Sequence, residues 1–365
     1  MIAAHQPVQR PRDAKLLVVG PYGRITHAPR SGFVDFLRPG DVVVANDAAT
    51  LPASLHGVHL SSGAAIEVRL AGRPSLGPED IHTFTAVVFG AGDFRTRTED
   101  RPPPPRFARG DRLVLGPLSA TIETVLGHPR LVSLRFSGSL GSVWEGIARH
   151  GRPIQYAHMA MPLAMWDVWT PIAGLPVAYE PPSAGFALNW ESIRAMRRRS
   201  IAFATITLAA GISSTGDPAL DRELPLDEPY RIPAATASTI RSAKERGGRI
   251  IAVGTTVVRA LEHAAARDGM VTAGESIATQ RMTDRSTLRV VDVVLSGTHE
   301  PDSSHYQLLR AFVDDATLAE VDAALETAEY RTHEFGDSVL IEGRTRNTDD
   351  SARHHRCKNC LATAA

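Results

Sequence analysis

The segment from residue 247 to residue 262, GGRIIAVGTTVVRALE, constrains the fold more than any other part of the chain. An apolar run at 250–253 is broken by Gly254, and apolar side chains then recur at helical spacing after Thr255. This pattern predicts a buried strand, a tight turn and a helix, with Thr255 as the helix cap. Ligands of open α/β sheets bind beyond the carboxyl ends of such strands, so the GTT turn is a candidate ligand site. The same turn is also typical of an ordinary strand-to-helix connection.

Other predicted strands end in polar residues. Asn46 and Asp47 follow the apolar run 42–45, and a loop rich in glycine and hydroxyl groups follows the run 201–208. If these strands share one parallel sheet with the strand before the GTT turn, their polar ends lie at the same edge. Asn46 and Asp47 are equally explained as turn residues. His299 follows a predicted strand and precedes a predicted helix, which makes it the best-placed general acid or base.

The pattern of apolar and polar residues changes between residues 60 and 149. Short alternating apolar segments are separated there by glycine, proline and polar clusters, without a convincing helix. This predicts a small all-β, barrel-like domain inserted into a mixed α/β main domain. The expected division is therefore a main domain of residues 1–59 and 150–343, an inserted domain of residues 60–149 and a flexible tail of residues 344–365.

The charge balance does not select a partner. Forty basic and forty acidic residues cancel, so any contact with nucleic acid must come from a local patch. The predicted helix from about 190 to 199 offers such a patch, which either binds phosphate groups or is a solvated face. Its basic residues are Arg194, Arg197, Arg198 and Arg199.

Cysteine use and hydropathy indicate a cytoplasmic protein. Cys357 and Cys360 are the only cysteines, so no disulfide framework holds the fold. The surrounding HHRCKNC offers zinc ligands, but four ligands packed together near a terminus are untypical of zinc sites, and we expect no metal. No run of about 18 apolar residues and no secretory signal is present. The oligomeric state is not indicated by the sequence.

Several motifs together resemble a known family. They are LRPGDVVVANDAATLPASLHG, PSAGF, YRIPAATASTIRSAKERGGRIIAVGTTVVRALE, SGTHEPDSS and YRTHEFGDSVLI. Their order and spacing are similar to those of the S-adenosylmethionine:tRNA ribosyltransferase-isomerases of queuosine biosynthesis, from about residue 7 to residue 341. The family's α/β domain, interrupted by a small β-barrel, agrees with the domain organisation expected from composition.

The resemblance implies a transferase and isomerase with unusual chemistry. Family members transfer and isomerise the ribosyl part of S-adenosylmethionine onto 7-aminomethyl-7-deazaguanine in tRNA, giving epoxyqueuosine and releasing adenine and methionine. S-adenosylmethionine is then a co-substrate, and neither a further cofactor nor a metal is needed. Because the sulfonium acidifies the ribose C5′ protons, the protein must supply a base, an adenine pocket and shelter from water.

The resemblance also assigns candidate roles to residues. It implies proton transfer by His299 and binding of S-adenosylmethionine by residues from several separate loops. The substrate-binding candidates are Asn46, Asp47, Ser183, Ala184, Gly185, Gly254, Thr255, Thr256, Arg259 and Glu262.

Departures from the family pattern lie in loops that face the ligand. Ala187 stands where the family has histidine, Ser54 replaces an arginine, and the loop 208–216 differs throughout. Gly297 and Glu300 also depart from the pattern beside His299. These changes favour an alternative, a divergent relative that uses S-adenosylmethionine or a related nucleoside on a small-molecule acceptor. A non-catalytic RNA- or nucleoside-binding protein is the third candidate.

Overall fold

The structure is a computed structural model that describes residues 1–301 and 303–343. Its strands are β1 (Ile2–Ala3), β2 (Lys15–Val19), β3 (Ile25–Pro29), β4 (Val42–Asn46), β5 (Ala49–Thr50), β6 (Ser54–His59), β7 (Ala65–Gly72), β8 (Thr83–Phe89), β9 (Arg112–Leu115), β10 (Leu118–Val125), β11 (Leu131–Phe136), β12 (Pro176–Ala178), β13 (Ala202–Leu208), β14 (Glu228–Ile232), β15 (Ile250–Val253), β16 (Gly274–Ala278), β17 (Val293–Gly297), β18 (Arg331–Thr332) and β19 (Ser338–Glu342). The expected tail, with Cys357 and Cys360, lies outside the described residues.

The helices are α1 (Leu140–His150), α2 (Met165–Val168), α3 (Trp190–Arg198), α4 (Pro218–Asp221), α5 (Ala234–Glu245), α6 (Thr255–Ala264), α7 (Ser304–Leu309) and α8 (Asp315–Thr327). Short 3₁₀ segments lie at Pro21–Gly23, Arg30–Phe36, Pro78–His82, Thr98–Asp100 and Ser183–Ala187. Within the part of the chain that the structure describes, no helix combines the length and apolar character needed to cross a membrane.

A nine-stranded sheet forms the centre of the molecule, in the order β16-β14-β13-β4-β15-β17-β19-β2-β3. The four strands β13, β4, β15 and β17 run parallel to one another, with Val43 opposite both Phe203 and Ile251. The carboxyl ends of parallel neighbours meet at one edge of a sheet. The expectation that the strand before Asn46 and the strand before Gly254 share a parallel sheet is therefore confirmed.

Both faces of this sheet are covered. Val42 and Val44 join the apolar cluster that includes buried residues of α5 and α6, whereas Val43 and Ala45 join the cluster that includes residues of α3 and of the 3₁₀ segment Arg30–Phe36. Successive side chains of a strand point to opposite faces, so a strand buried on both sides must be apolar at every position. This requirement accounts for the unbroken apolar runs that mark these strands in the sequence.

The strand, turn and helix predicted around the GTT motif are present. β15 ends at Val253 and α6 begins at Thr255. Gly254 has φ +100°, a backbone conformation that residues with a Cβ rarely adopt, and this explains the glycine between strand and helix. The predicted cap was wrong, because Gly254 occupies the N-cap position and Thr255 is the first helical residue.

The predicted β-barrel is also present, closed in the order β10-β11-β8-β7-β6-β9. It begins at Ser54, because β6 is one of its strands, although the sequence placed residues 54–59 in the main domain. The apolar interior of the barrel and one face of the central sheet form a continuous cluster of buried side chains. The barrel therefore packs directly on the sheet that carries the candidate ligand loops.

A buried charge network connects the barrel strands. Glu67 accepts hydrogen bonds from Ser54 Oγ at 2.7 Å, from Arg69 Nε at 2.8 Å and from Arg101 Nη1 at 2.5 Å. Burial alone raises the pKa of Glu67, but Arg69 and Arg101 outweigh it and lower the pKa to about 2. Ser54, which stands where the family has arginine, is thus a buried member of this network.

We expect Glu67→Gln to lower the free energy of unfolding by about 3 kcal/mol at pH 7, because Arg69 and Arg101 lose their buried counter-charge. The folded-state pKa of Glu67 is depressed, so its contribution is present above pH 4.5 and is lost as the pH falls toward 2. The stability difference between the two proteins should therefore shrink below pH 4.5. Urea denaturation at several pH values measures it.

Glu145→Gln is the matched control, since Glu145 pairs with Arg149 on an exposed face of α1. This control should unfold like the wild type at every pH. A Glu67→Gln protein as stable as the wild type at pH 7 would contradict the prediction.

Candidate active site

A cavity of about 750 Å³ lies where the loops after β13, β15 and β17 meet. Residues 210–214 follow β13, residues 254–256 follow β15 and residues 296–300 end and follow β17. Residues 180–184 form a further part of the wall. The volume is typical of sites for small molecules, and the position matches the ligand-binding edge of an open α/β sheet.

The structure brings seven of the predicted site residues together in this lining. A Cβ placed on Gly254 would lie 3.7 Å from the Cβ of Ala184, so the GTT turn and the Ser-Ala-Gly turn are neighbours. The seven residues are Ser183, Ala184, Gly254, Thr255, Thr256, Arg259 and His299.

Two stacked histidines connect the GTT turn to the loop after β17. Thr255 Oγ1 and His305 Nδ1 share a hydrogen bond of 2.7 Å. The ring of His305 stacks on that of His299, with centroids 4.6 Å apart and planes 20° apart. His299 Nε2 in turn shares a hydrogen bond of 2.9 Å with Ser296 Oγ. The position of the His299 ring is therefore determined from both sides.

These histidines are neutral near pH 7. Burial, followed by the neighbouring His305 and His333, lowers the pKa of His299 well below its ordinary value. Burial also lowers the pKa of His305. A neutral imidazole can accept a proton, so His299 has the protonation state of a general base.

Arg259 is a buried cation with one unused donor. Its Nη1 donates to Glu228 Oε2 at 2.7 Å, and its Nε donates to the carbonyl oxygen of Gln280 at 2.8 Å. Its Nη2 is buried and has no hydrogen-bond partner among the described residues. A buried donor without a partner costs free energy, which a ligand oxygen can recover on binding.

The opposite wall contains titratable residues that sequence reasoning missed. Tyr156 Oη and the backbone N–H of Ser213, the latter at 3.0 Å, donate to Glu180. Burial, together with the charge of Glu334, raises the pKa of Glu180 to about 7. His158 and His333 stack here with centroids 4.2 Å apart. These residues come from separate loops. His333 and Glu334 lie within the motif YRTHEFGDSVLI, which did not indicate a role in the site, and Glu180 and His158 lie in none of the motifs.

Four predicted substrate-binding residues lie outside the cavity lining. Two of them, Asn46 and Asp47, bind β13. Asn46 Nδ2 donates to the carbonyl oxygen of Leu208, and Asn46 Oδ1 accepts from the N–H groups of Leu208 and Ala48. Asp47 Oδ1 accepts from Thr207 Oγ1 at 2.7 Å. Both side chains thus hold the strand ends in place below the site.

The other two are Glu262 and Gly185. The carboxylate of Glu262 accepts the backbone N–H groups of residues 289, 290 and 291, so it anchors the segment that leads into β17. A Cβ placed on Gly185 would lie 3.0 Å from Thr170 Cγ2, which accounts for glycine by close packing. None of these four contacts involves the cavity.

The residues that depart from the family pattern are divided between the cavity and the interior. The loop 208–216 lines the cavity through residues 210–214, and three carboxylates bind its backbone: Glu180 at Ser213, Glu228 at Gly211 and Asp221 at Thr215. Gly297, Thr298 and Glu300 also line the cavity. Ala187 lies outside it, within an apolar cluster.

The predicted arginine patch lies away from the cavity, on α3. Arg194, Arg197 and Arg198 are exposed. Arg199 instead donates to the carbonyl oxygens of Val34 and Leu37, which ties the end of the helix to the 3₁₀ segment below it. Three of the four arginines are therefore free of such a structural role.

The cavity lining is acidic. Its two guanidinium groups, on Arg97 and Arg259, both form ion pairs, with Glu99 and Glu228 respectively. Four more carboxylates face no such partner in the lining: Glu180, Asp221, Glu300 and Glu334. This excess of negative charge favours a ligand that carries positive charge.

Comparison with known proteins identifies relatives along nearly the whole chain. Residues 1–341 match the model of a family described as queuosine biosynthesis protein. S-adenosylmethionine:tRNA ribosyltransferase-isomerases from Citrifermentans bemidjiense and Sorangium cellulosum are 30% and 31% identical, over 93% and 94% of this chain and 96% of each relative. The relative with this name from Thermus thermophilus is 30% identical over 91% of this chain and 93% of its own length. A crystal structure of S-adenosylmethionine tRNA ribosyltransferase from Thermotoga maritima is 25% identical, covers 93% of this chain and 96% of its own, and superposes with a TM-score of 0.48.

We expect Thr255→Val to lower the free energy of unfolding by about 1 to 3 kcal/mol, because a half-buried nitrogen of His305 loses its hydrogen-bond partner while the side-chain volume is kept. Guanidinium denaturation followed by circular dichroism measures the loss. Thr256→Val is the control, since Thr256 lines the cavity beside Thr255, and its removal should change stability by no more than about 0.5 kcal/mol. Equal stability of the two variants would show that the bond to His305 contributes nothing.

Proposed function

Because the chain belongs to the queuosine biosynthesis protein family, we propose that it is an S-adenosylmethionine:tRNA ribosyltransferase-isomerase. The reaction transfers and isomerises the ribosyl moiety of S-adenosylmethionine onto 7-aminomethyl-7-deazaguanine in tRNA, gives epoxyqueuosine and releases adenine and methionine. The observation that carries the proposal is the convergence of the GTT turn, the Ser-Ala turn and His299 on one acidic cavity.

The charge of the cavity supports S-adenosylmethionine as the bound co-substrate. Its sulfonium is a permanent cation, which the carboxylates of the lining stabilise. Its carboxylate is an acceptor that suits Arg259 Nη2, the buried donor without a protein partner. Thr255 and Thr256, the first residues of α6, line the same cavity, and the unpaired N–H groups of a helix start suit further polar atoms of the nucleoside.

His299 is the proposed base. Its depressed pKa keeps the imidazole neutral at pH 7, so it can remove a ribose C5′ proton acidified by the adjacent sulfonium. The electron pair left on C5′ then forms a double bond to C4′ and expels the ring oxygen, and this oxygen forms a carbonyl with C1′ and releases adenine as an anion that water protonates. The proton stays on the imidazole, whose other contacts to His305 and Ser296 keep it in place. This step needs no further cofactor.

The exposed arginines of α3 supply a surface for tRNA. Arg194, Arg197 and Arg198 recur at a spacing that places them on one side of the helix. Trp190, at the start of the same helix, is 68% exposed, and exposed aromatic rings stack on unpaired bases. A tRNA substrate also implies that the protein acts in the cytoplasm.

Adenine release tests the function. We expect the protein to release adenine from S-adenosylmethionine, followed by chromatography, only when tRNA carrying the 7-aminomethyl-7-deazaguanine precursor is present. His299→Ala should lower the rate by about 10²- to 10⁴-fold, because the base is lost. Binding of S-adenosylmethionine, measured by calorimetry, should survive the substitution.

His56→Ala is the control, since His56 is exposed on the barrel and the variant should keep full activity. Adenine release without tRNA, or with a small-molecule acceptor instead, would overturn the tRNA assignment. Unchanged turnover of His299→Ala would remove His299 from the mechanism.

The tRNA surface is tested separately. We expect the double variant Arg194→Glu/Arg197→Glu to raise the KM for tRNA on the order of tenfold at 0.1 M salt, because phosphate contacts are replaced by repulsion. The affinity for S-adenosylmethionine should not change. Steady-state kinetics at two salt concentrations measures both effects.

Arg241→Glu/Arg246→Glu carries the same charge change on α5 and its C-cap, on the other face of the sheet. This control should keep the wild-type KM. Equal effects of the two double variants would show that net charge, and not the surface of α3, governs tRNA binding.

A further inference from the structure

The cavity contains a cluster of side chains of the types that bind metal ions. It consists of His158, which follows α1, and of His333 and Glu334, which follow β18. We propose that these three residues bind a divalent transition-metal ion of the zinc class.

The donor atoms are already close together. One ligand atom from each side chain lies within 4.8 Å of the others, and His158 Nε2 is 3.4 Å from Glu334 Oε2. Bond lengths of 2.0 to 2.2 Å in a tetrahedral zinc site separate its ligand atoms by about 3.3 to 3.6 Å. The His158–Glu334 pair has this separation. The ring of His333 stacks on that of His158, so it must move closer and tilt to direct a ring nitrogen at the same ion.

An unsatisfied polar atom points independently to a missing ligand. Within the described part of the chain, His158 Nε2 is buried and its one close polar contact is Glu334 Oε2, at 3.4 Å and without the geometry of a normal hydrogen bond. Buried ring nitrogens are normally paired, because leaving one unpaired costs about 1 to 3 kcal/mol. A metal ion placed between these two atoms accepts the lone pair of the nitrogen and also neutralises the charge of the carboxylate.

The ligand types select the class of ion. Two imidazoles and one carboxylate suit Zn²⁺ and its first-row neighbours, whereas Mg²⁺ and Ca²⁺ prefer oxygen ligands throughout. Three protein ligands leave a fourth position open, and all three side chains line the cavity. The open position therefore faces the space that the substrate of the proposed reaction occupies.

The surrounding charges favour a cation at this place. Glu300 Oε1 lies 4.0 Å from His333 Nε2, and Glu180 is close enough for the charge of Glu334 to affect it. The nearby aromatic ring of Tyr156 stacks on His158 from the other side, with centroids 6.2 Å apart. Glu300 thus adds negative charge to the cluster, and Tyr156 adds a neutral ring.

Metal binding is tested on the full chain with Cys357→Ser and Cys360→Ser, so that the HHRCKNC segment cannot supply thiolates. After treatment with a chelator, calorimetric titration with ZnCl₂ should give one ion per chain. His158→Ala, His333→Ala and Glu334→Gln, each in this background, should weaken binding by at least about tenfold. Saturating Zn²⁺ should raise the melting temperature of the parent and not of these variants.

The absorption spectrum of bound Co²⁺ distinguishes the proposed ligands from thiolates. Co²⁺ bound to the same protein should show visible d–d bands without the near-ultraviolet charge-transfer band of a cobalt thiolate. His56→Ala is the matched control for loss of an exposed histidine and should bind like the parent. Circular dichroism verifies that each variant is folded.

No saturable binding by the parent would overturn the proposal, and so would binding that all three variants retain. The titrations use the metal alone, so their outcome does not depend on the proposed reaction.

Discussion

The parallel pairing of β13, β4, β15 and β17 is the constraint on which the site depends. Parallel strands in register end at one edge, and three of these four are followed by the loops that form the cavity. The fourth strand, β4, supports the site indirectly. Its Asn46 hydrogen-bonds to both the N–H and the carbonyl oxygen of Leu208 and so holds the end of β13 in place. The scaffold therefore brings together segments that lie far apart in the sequence, and Gly254 lets one of them pass close to Ala184.

Carboxylates account for much of the order within these loops. Glu180, Glu228 and Asp221 each bind a backbone N–H of the loop 208–216, which differs from the family pattern. These acidic side chains hold the altered loop in place. The loop therefore still forms a wall of the cavity, despite its different sequence. Glu180 and Asp221 also belong to the lining carboxylates without a guanidinium partner, so they both support the loop and contribute to the preference for a cationic ligand.

The fold was largely predictable, because apolar periodicity and glycine positions are local signals. The strand, turn and helix around Gly254 follow from a few neighbouring residues, and the barrel follows from its short alternating strands. β6 was missed because residues 54–59 contain both polar and apolar residues and begin only three residues after β5. The helix cap was assigned to Thr255 because its residue type suits a cap, whereas the backbone at Gly254 decides the position.

The sequence identified residues of the cavity lining only where they belong to a recognisable motif. The seven candidates in the lining belong to two short motifs and one loop, whereas Asn46, Asp47 and Glu262, which also match the family pattern, hydrogen-bond to other parts of the fold. Sequence resemblance does not distinguish a residue that binds a ligand from one that holds a loop. Glu180, His158 and His333 were missed because their proximity exists only after separate loops meet in the folded chain.

The position of β2 within the central sheet has a further consequence for biosynthesis. The N–H of Lys15 donates to Asp337, 322 residues later, and β2 pairs with β19. The sheet is thus completed only when the last strand has left the ribosome, whereas the barrel, whose strands are near neighbours in the chain, has all its partners much earlier. During translation the inserted barrel is therefore the first part able to fold, and the ligand cavity is among the last to form.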